Sequence, residues 1–266
     1  MANGLRVQLT NRAAKHARRD SPKVSAMHPQ IRNSLRHASK MVFDWHMETF
    51  GSKFAKIDRS DDTSPGTADV ICEGAKSVKY SLKLNHDATK HPRPYSLAQW
   101  VELDKRCQED LEHRKHMADV GKLFRTRVGS ATTFEEVKAP TKKLYDAVVV
   151  VCAESLNEWC PRLSLADELF TFLIGEGFVK VITELDGAKL RQVRIQRYDR
   201  IPRPSTVVAV AQPKGHLLLK FSNNWVLDLR LHTASSRIAP RGQLSLKFDS
   251  QVVKSPGLPT KVLKPV

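Results

Sequence analysis

The sequence predicts a mixed α/β protein, of the α+β kind, because a helical middle is followed by a β-rich last third. Apolar residues recur at helical spacing from Pro29 to about Phe50, whereas after Gly177 they alternate with a period of two. The 266 residues can build a substantial core, and their 41% hydrophobic content is ordinary for a globular protein. We therefore expect one domain over residues 1–266.

The chain up to residue 174 is expected to hold a basic arm, helices and two strands. Residues 1–24, the arm, carry six basic side chains against one acid, which suits either contact with a phosphate backbone or a solvated terminus. Gly51 ends one helix, and Glu73-Gly74 joins the two strands. Five helices are expected: one that begins at Asn11, one that begins at Pro140, and three that cover 29–50, 96–124 and 164–174. The two expected strands cover 68–72 and 77–84.

The last third of the chain is expected to form β-hairpins. Asp186-Gly187 and Asn223-Asn224 are turn signals, and each stands between two runs of alternating residues. Residues 255–266 are expected to form an irregular C-terminal tail. The expected strands cover 179–183, 193–197, 217–222, 225–232 and 244–253.

The chain is strongly basic, with 44 Lys and Arg residues against 28 Asp and Glu residues and a formal charge of +16. Such an excess is typical of proteins that bind a polyanion, most often nucleic acid, and the alternative is a generically basic surface. The sequence contains no run of 18 apolar residues, so it predicts no membrane span. The first residues lack the apolar stretch that is typical of a secretory signal. The four cysteines show no metal-binding spacing, which favours reduced thiols in a cytoplasmic protein.

Two neighbouring predicted strands carry an acid and a lysine at a spacing that suits metal-dependent phosphodiester cleavage. Asp69 lies on the first strand, and Lys83 lies on the second, two residues after Ser81. Such cleavage needs acid oxygens to hold Mg²⁺ and a cation to stabilise the charge that develops at phosphorus. Since residues two apart on a strand share a face, we expect Ser81 and Lys83 to face Asp69. Leu82 and Leu84 are then expected to point into a core.

This pattern is typical of the PD-(D/E)XK nucleases, with one departure at Ser81. Those nucleases carry Asp or Glu two residues before the lysine, and a hydroxyl is a weaker ligand for Mg²⁺. We expect Asp69 and Glu48 to hold the metal, and Lys83 and Ser81 to complete the catalytic set. Asp87 or a backbone carbonyl are further candidates for the missing acid. A half-buried strand with a surface lysine is the structural alternative.

Polar and cationic side chains follow the lysine strand at once. Arg and Lys suit phosphates or the O6/N7 edge of guanine, and Asn suits amide-type contacts to a base. A solvated loop bounded by prolines is the alternative. The DNA-binding candidates in this segment are Asn85, His86, Lys90, His91 and Arg93.

Two stretches of the chain resemble a known family. Residues 81–94, Ser-Leu-Lys-Leu-Asn-His-Asp-Ala-Thr-Lys-His-Pro-Arg-Pro, resemble the segment around the catalytic lysine in type II restriction endonucleases of the HaeIII-like family. Residues 230–238, Arg-Leu-His-Thr-Ala-Ser-Ser-Arg-Ile, with Ser-Leu-Lys-Phe-Asp at 245–249, are similar to a segment near the C-terminus of that family. The order of the two stretches matches the family, and the helices between them do not.

The second stretch supplies further DNA-binding candidates, because hydrogen-bond donors crowd around its turn. A polar β-turn before an exposed strand is the alternative. Its Ser-Leu-Lys repeats residues 81–83, and with Asp228 and Asp249 nearby it is a second possible metal site. The acid-bearing strand directly before Lys83 favours the first. The candidates are Arg230, His232, Ser235, Ser236, Arg237 and Lys247.

The resemblance implies a PD-(D/E)XK restriction-endonuclease-like core, a mixed sheet flanked by helices in one nuclease domain. It implies Mg²⁺-dependent cleavage of double-stranded DNA at a short GC-rich palindrome, GGCC in the family, and a palindrome favours a homodimer. A cognate DNA methyltransferase would be the genetic partner, without a stable complex. Two other functions stay open: a non-catalytic DNA- or RNA-binding protein on a decayed nuclease fold, and a structure-selective repair or RNA-processing nuclease.

Overall fold

The computed structural model describes residues 8–51, 56–59, 69–74, 76–87, 89–199, 201–238 and 245–265. The first seven residues of the expected basic arm lie outside these ranges. The helices are α1 (Asn11–Ala26), α2 (Pro29–Phe50), α3 (Gln108–Val128), α4 (Lys138–Leu163) and α5 (Ala166–Ile174), with a 3₁₀ turn at Ala98–Trp100. The strands are β1 (Gln8–Leu9), β2 (Lys56–Arg59), β3 (Val70–Glu73), β4 (Val78–Leu84), β5 (Phe178–Asp186), β6 (Lys189–Arg197), β7 (Val207–Gln212), β8 (His216–Phe221), β9 (Val226–Thr233), β10 (Leu246–Lys254) and β11 (Thr260–Leu263).

The chain forms two compact units, each assembled from separate stretches of sequence. Unit 1 comprises 1–87, 175–201 and 257–266, and unit 2 comprises 88–174 and 202–256. Both units combine helices with a sheet, so the expected mixed α+β class is confirmed. The sequence predicts one nuclease domain over the whole chain, and this stays a prediction. Among the helices above, none is long and apolar enough to cross a membrane.

Unit 1 is built on a seven-stranded mixed sheet of order β1-β2-β3-β4-β5-β6-β11. The pairs β1/β2 and β4/β5 are parallel, and the other neighbours are antiparallel. Helix α2 packs on one face of this sheet, where Ala38 and Trp45 meet Tyr80, Val181 and Ile195 in a buried apolar cluster. The reverse face of the same strands carries the polar residues of the sequence motif.

The bounds of α2 follow from its two ends, and the expected range of 29–50 is confirmed. Proline occupies the first turn, where its fixed φ suits a helix and its missing N–H is not needed. At the other end Gly51 adopts φ 62°, in the left-handed region, and its N–H donates to Met47 O at 3.0 Å. A glycine accepts this conformation without steric penalty, so it terminates the helix.

Unit 2 contains a four-stranded antiparallel sheet of order β10-β9-β8-β7 that packs against α4. One face is apolar, with Leu217, Leu229 and Phe248 fully buried. Asn157 of α4 anchors β7, because it donates to Ala209 O and accepts from Ala209 N–H, both at 2.8 Å. The other face of β9 and β10 carries alternating polar side chains.

Two expectations about secondary structure are wrong. The helix expected over 96–124 begins only at Gln108, because the buried carboxylate of Asp110 accepts from Ala98 N–H at 3.0 Å and from the Ser96 hydroxyl. These bonds fold the preceding segment back onto α3. The expected irregular tail is ordered at 260–263 as β11, because it pairs with β6 and satisfies the backbone groups of that edge.

Candidate functional site

Asp69 and Ser81 meet on the reverse face of the unit 1 sheet. Asp69 immediately precedes β3, and its N–H donates to Tyr80 O at 2.6 Å, which extends the β3/β4 pairing by one residue. Its Oδ2 accepts from Leu82 N–H at 2.6 Å and from Ser81 Oγ at 3.3 Å. The acid and the strand of the sequence motif are therefore in contact, and the role of Asp69 as a metal ligand stays a prediction.

Lys83 shares the face of Ser81. In the parallel pairing of β4 with β5, Ser81 is opposite Lys180 and Lys83 is opposite Ile182, so these four side chains lie on one side of the sheet. Ser81 is buried and Lys83 is half-buried. A neutral hydroxyl thus fills the buried position, while the lysine reaches the surface.

The expectation that Leu82 and Leu84 point into a core is wrong. They are 49% and 42% exposed, whereas Tyr80 on the same face is buried against α2. Leu82 and Leu84 instead line an apolar cavity of about 590 Å³, which they share with Val42 and Phe43 of α2. The helix fills the space above Tyr80 but leaves this gap above the end of β4.

A buried ionic network, which sequence reasoning missed, lies on the face of Ser81 and Lys83. Lys180 is 1% exposed, and its ammonium donates to Asp87 O at 2.9 Å and to the Asp87 carboxylate. Arg194 of β6 approaches Asp87 Oδ2 at 3.5 Å and donates to Glu184 Oε1 at 2.6 Å. Burial lowers the pKa of Lys180, and the charge of Asp87 opposes that shift. The sequence signal was a lone lysine within the apolar strand β5.

Glu48, the other expected metal ligand, is exposed near the C-terminal end of α2. That helix packs on the Tyr80 face of the sheet, which is the reverse of the face with Ser81. Within the part of the chain that the structure describes, no hydrogen bond or ion pair joins Glu48 to Asp69. Its assignment as a metal ligand stays a prediction.

Asn85 and His86 follow β4 directly. Asn85 adopts φ 57°, its N–H donates to Thr183 O at 2.9 Å, and its side-chain oxygen accepts from Leu185 N–H at 2.6 Å. Through these bonds Asn85 joins the end of β4 to the neighbouring strand β5. His86 is exposed.

The two stretches that carry the family resemblance meet in unit 2. Lys90 N–H donates to Ser250 Oγ at 2.9 Å, Ser250 N–H donates to Lys90 O at 3.2 Å, and Phe248 N–H donates to Pro92 O at 2.8 Å. Residues 89–92 therefore run alongside β10, although more than 150 positions separate them in the sequence.

His91, Asp249 and His232 form a cluster where the stretches meet. His91 Nδ1 is 2.6 Å from Asp249 Oδ1, and His232 Nε2 is 3.4 Å from the same oxygen. The register pairs Asp249 with Arg230 and Lys247 with His232, so the cluster stands among cations on the polar face of the sheet. Burial lowers the pKa of His232, and Asp249 opposes that shift.

The remaining unit 2 candidates differ in exposure. Arg93 is exposed, whereas Lys90 is half-buried, with its ammonium 3.9 Å from the centre of the Phe172 ring. Burial lowers the pKa of Lys90. Residues 235–237 form an exposed turn that is tied to 132–134 by backbone hydrogen bonds, and residues 239–244 lie outside the described ranges. Ser235, Ser236 and Arg237 are thus accessible.

Acidification is expected to destabilise unit 2 through His113, which is buried beneath the first stretch. Its Nε2–H donates to Pro94 O at 2.7 Å, its Nδ1 accepts from Ser155 Oγ at 2.9 Å, and burial lowers its pKa below 6.5. The unfolded chain takes up the proton at a higher pH, so stability is lost as the pH falls from about 6.5 through the folded pKa. Urea unfolding at pH 8 and pH 5.5 measures this loss, and His113→Gln should reduce it; an equal loss in both proteins would contradict the assignment.

Oxygen ligands for Mg²⁺ are available at Asp69 and Ser81. Mg²⁺ is commonly bound through one or two carboxylates while it keeps several waters, so this donor set is compatible with it. Within the described ranges, no group of three or more His, Cys, Asp or Glu side chains is arranged to hold a metal ion. A metal ion on this face would therefore be held by few protein oxygens and by water.

Comparison with known proteins finds no matching family model, and neither the curated proteins nor the solved structures give a significant match. The resemblance to the HaeIII-like endonucleases therefore stays a prediction based on the two stretches.

Proposed function

We propose that the protein is a type II site-specific endonuclease that hydrolyses double-stranded DNA with Mg²⁺. The observation that carries the proposal is the shared face of Asp69, Ser81 and Lys83 on adjacent strands of a mixed sheet. A carboxylate and an ammonium on one face are the two groups that phosphodiester hydrolysis needs. The chain's formal charge of +16 suits a polyanionic substrate in the cytoplasm.

The chain's own residues would divide the reaction between them. A water molecule attacks phosphorus and gives up a proton to solvent, one P–O bond breaks, and the released deoxyribose oxygen takes up a proton from solvent. The Lys83 ammonium stabilises the extra negative charge on the phosphoryl oxygens. Asp69 and the Ser81 hydroxyl would hold the metal, which when bound polarises the phosphoryl group and lowers the pKa of a coordinated water.

Unit 2 would read the DNA. The contact between residues 89–92 and β10 supports this assignment, because it joins the two stretches of the resemblance and gathers Arg230, His232 and Lys247 on one sheet face. Arginine and lysine bind phosphates and the O6/N7 edge of guanine. We propose a short GC-rich palindrome as the target, GGCC by the resemblance, with a homodimer bound to it and a methyltransferase that protects the host site.

A non-catalytic DNA-binding protein on a decayed nuclease fold is the second candidate. The observation that favours it is Ser81, which stands where the nuclease pattern has an acid and whose hydroxyl already donates to Asp69. In that case the basic surface would remain while the metal site had been lost.

Digestion of unmethylated phage-sized DNA tests the proposal, with Mg²⁺ and with EDTA. Discrete fragments that require Mg²⁺ are the expected result, and sequencing their ends gives the target. A smear would instead indicate an unspecific or structure-selective nuclease. Intact DNA that shifts in a gel would indicate the binding protein.

Arg93→Ala and Arg237→Ala are each expected to weaken DNA binding by about 1–3 kcal/mol if the guanidinium contacts a guanine. Both side chains are exposed in unit 2. Titration of target and scrambled duplexes separates the roles, because a guanine contact lowers affinity for the target alone, whereas a phosphate contact lowers both. The control is Arg162→Ala, whose side chain pairs with Glu109. Affinities equal to that control for both variants would remove the two arginines from the interface.

A further inference from the structure

Lys180 is a fully buried lysine on the strand next to the sequence motif. It lies on β5, opposite Ser81 in the parallel register, and it is 1% exposed. A buried ammonium is unfavourable unless it is paired and hydrogen-bonded. Its partner is Asp87, through both the backbone carbonyl and the carboxylate.

This pairing brings Asp87 back onto the face of Ser81 and Lys83. Asp87 comes three residues after β4 ends, and its Oδ2 also lies 3.5 Å from Arg194 Nη2. Arg194 is opposite Ile182, which is opposite Lys83, so Arg194 belongs to the same face. Two cations of that face therefore fix the position of the Asp87 carboxylate.

The other acids suggested by the motif are placed differently. Asp69 is on the Ser81 face and contacts Ser81 directly. Glu48 belongs to α2, which packs on the reverse side of the sheet. Of the two side chains considered for the missing acid, Asp87 is the one that the fold brings to the face of the lysine.

We propose that Asp87 is the second carboxylate of the metal site and that Lys180 is the positioning residue that holds it there. Asp87 thus supplies the carboxylate that the nuclease pattern has at the position of Ser81. Its Oδ1 accepts from Lys180. Its Oδ2, which among the described residues has the weaker, 3.5 Å contact with Arg194 Nη2, is the oxygen that a divalent cation takes. This inference rests on the proposed nuclease function and specifies its metal site.

The experiment compares Asp87→Asn, Asp87→Glu, Lys180→Met and Lys180→Arg with the parent protein and with Asp69→Asn. Mn²⁺ binding to the DNA-free protein is measured by electron paramagnetic resonance, and the Mg²⁺ concentration for half-maximal cleavage is measured separately. Thermal melting reports folding. The control variants are Asp186→Asn and Lys189→Met, an exposed pair at the far end of β5 and β6.

Asp87→Asn and Lys180→Met are expected to weaken Mn²⁺ binding and to raise the Mg²⁺ requirement at least tenfold, with the controls unchanged. Lys180→Arg should recover part of the loss, because a guanidinium can still donate to Asp87. If Asp87→Asn unfolds, Asp87→Glu decides, since it keeps the charge and displaces the carboxylate by one methylene. Its Mg²⁺ requirement should still rise.

Two results would overturn the inference. In the first, Asp69→Asn loses activity, but Asp87→Glu and every other folded Asp87 or Lys180 variant keep the Mn²⁺ affinity and the Mg²⁺ requirement of the parent protein. The Asp87–Lys180 pair would then be purely structural, whether or not these variants melt at a lower temperature. A parent protein that neither binds Mn²⁺ nor cuts DNA would remove the proposed nuclease function, and the inference with it.

Discussion

Asp69→Asn is expected to lower Mg²⁺-dependent cleavage by at least about a hundredfold while DNA binding is kept. Asp69 is the acid that directly contacts the motif strand, through Ser81 Oγ and Leu82 N–H. Removal of its charge takes away the anionic oxygen that would hold the cation, but it leaves the basic surface intact. Single-turnover cleavage and a gel-shift titration on the same duplex measure the two effects separately.

Asparagine is chosen because it tests charge without breaking the local fold. Its amide oxygen can still accept from Leu82 N–H, so the pairing of β3 with β4 is kept. Asp69→Ala loses this acceptor as well and should be less stable. Asp44→Asn is the matched control, since Asp44 is exposed and pairs with Lys40 on the same helix, α2. Cleavage by Asp69→Asn at the parental rate would show that the metal site is elsewhere, and the strand with Lys247 and Asp249 would be the next candidate.

The parts of the fold that the sequence predicts are those with local signals. Gly51 ends α2 because it adopts a positive φ. Gly187, with φ 56°, follows the last residue of β5, Asp186, and begins the turn to β6. Alternating residues 217–222 and 225–232 correctly indicate the hairpin of β8 and β9. In these places the backbone conformation is dictated by residues within a few positions of one another.

The features that sequence reasoning missed depend on distant partners. The strands β2 and β11 have four residues each and β7 has six, and all three are stabilised by pairing with neighbours in the sheet. The division into two units is equally non-local, because each unit contains stretches far apart in the chain.

Prediction of the candidate site has the same limit. The spacing of Asp69 and Lys83 indicates two neighbouring strands, and these do lie side by side. The spacing cannot show that Asp87 folds back towards Lys180, about 90 positions away, or that α2 places Glu48 on the reverse side. Alternation also predicted that Leu82 and Leu84 would be buried, because it identifies a shared face but not how far a helix covers that face.

Asp110→Ala is expected to lower the free energy of unfolding of unit 2 by about 3–5 kcal/mol, the usual loss when one partner of a buried ion pair is removed. The Asp110 side chain is fully buried and pairs with Arg114. It also accepts from Ala98 N–H and from the Ser96 hydroxyl. Removal leaves all three donors without this acceptor, and unsatisfied buried donors are strongly unfavourable.

Urea unfolding followed by tryptophan fluorescence measures the loss, because three of the four tryptophans, Trp100, Trp159 and Trp225, are buried in unit 2. Asp110→Asn should fall between the parent and Asp110→Ala, since it keeps an acceptor oxygen but not the charge. Asp119→Ala on the same helix is the control, and its exposed pair with Lys122 is expected to contribute less than about 0.5 kcal/mol. If Asp110→Ala is as stable as that control, Asp110 does not hold this segment.

The same substitution links the stability of unit 2 to the reading of DNA. The segment that Asp110 fixes begins at Ser96, two residues after the end of the first resemblance stretch, and Trp100 of that segment donates to Arg93 O at 3.2 Å. Loosening it should therefore displace Arg93 and weaken binding to the target at temperatures where Asp110→Ala is still folded. A less stable variant with parental affinity would separate the two effects and would mean that Arg93 is positioned by the pairing of residues 89–92 with β10 alone.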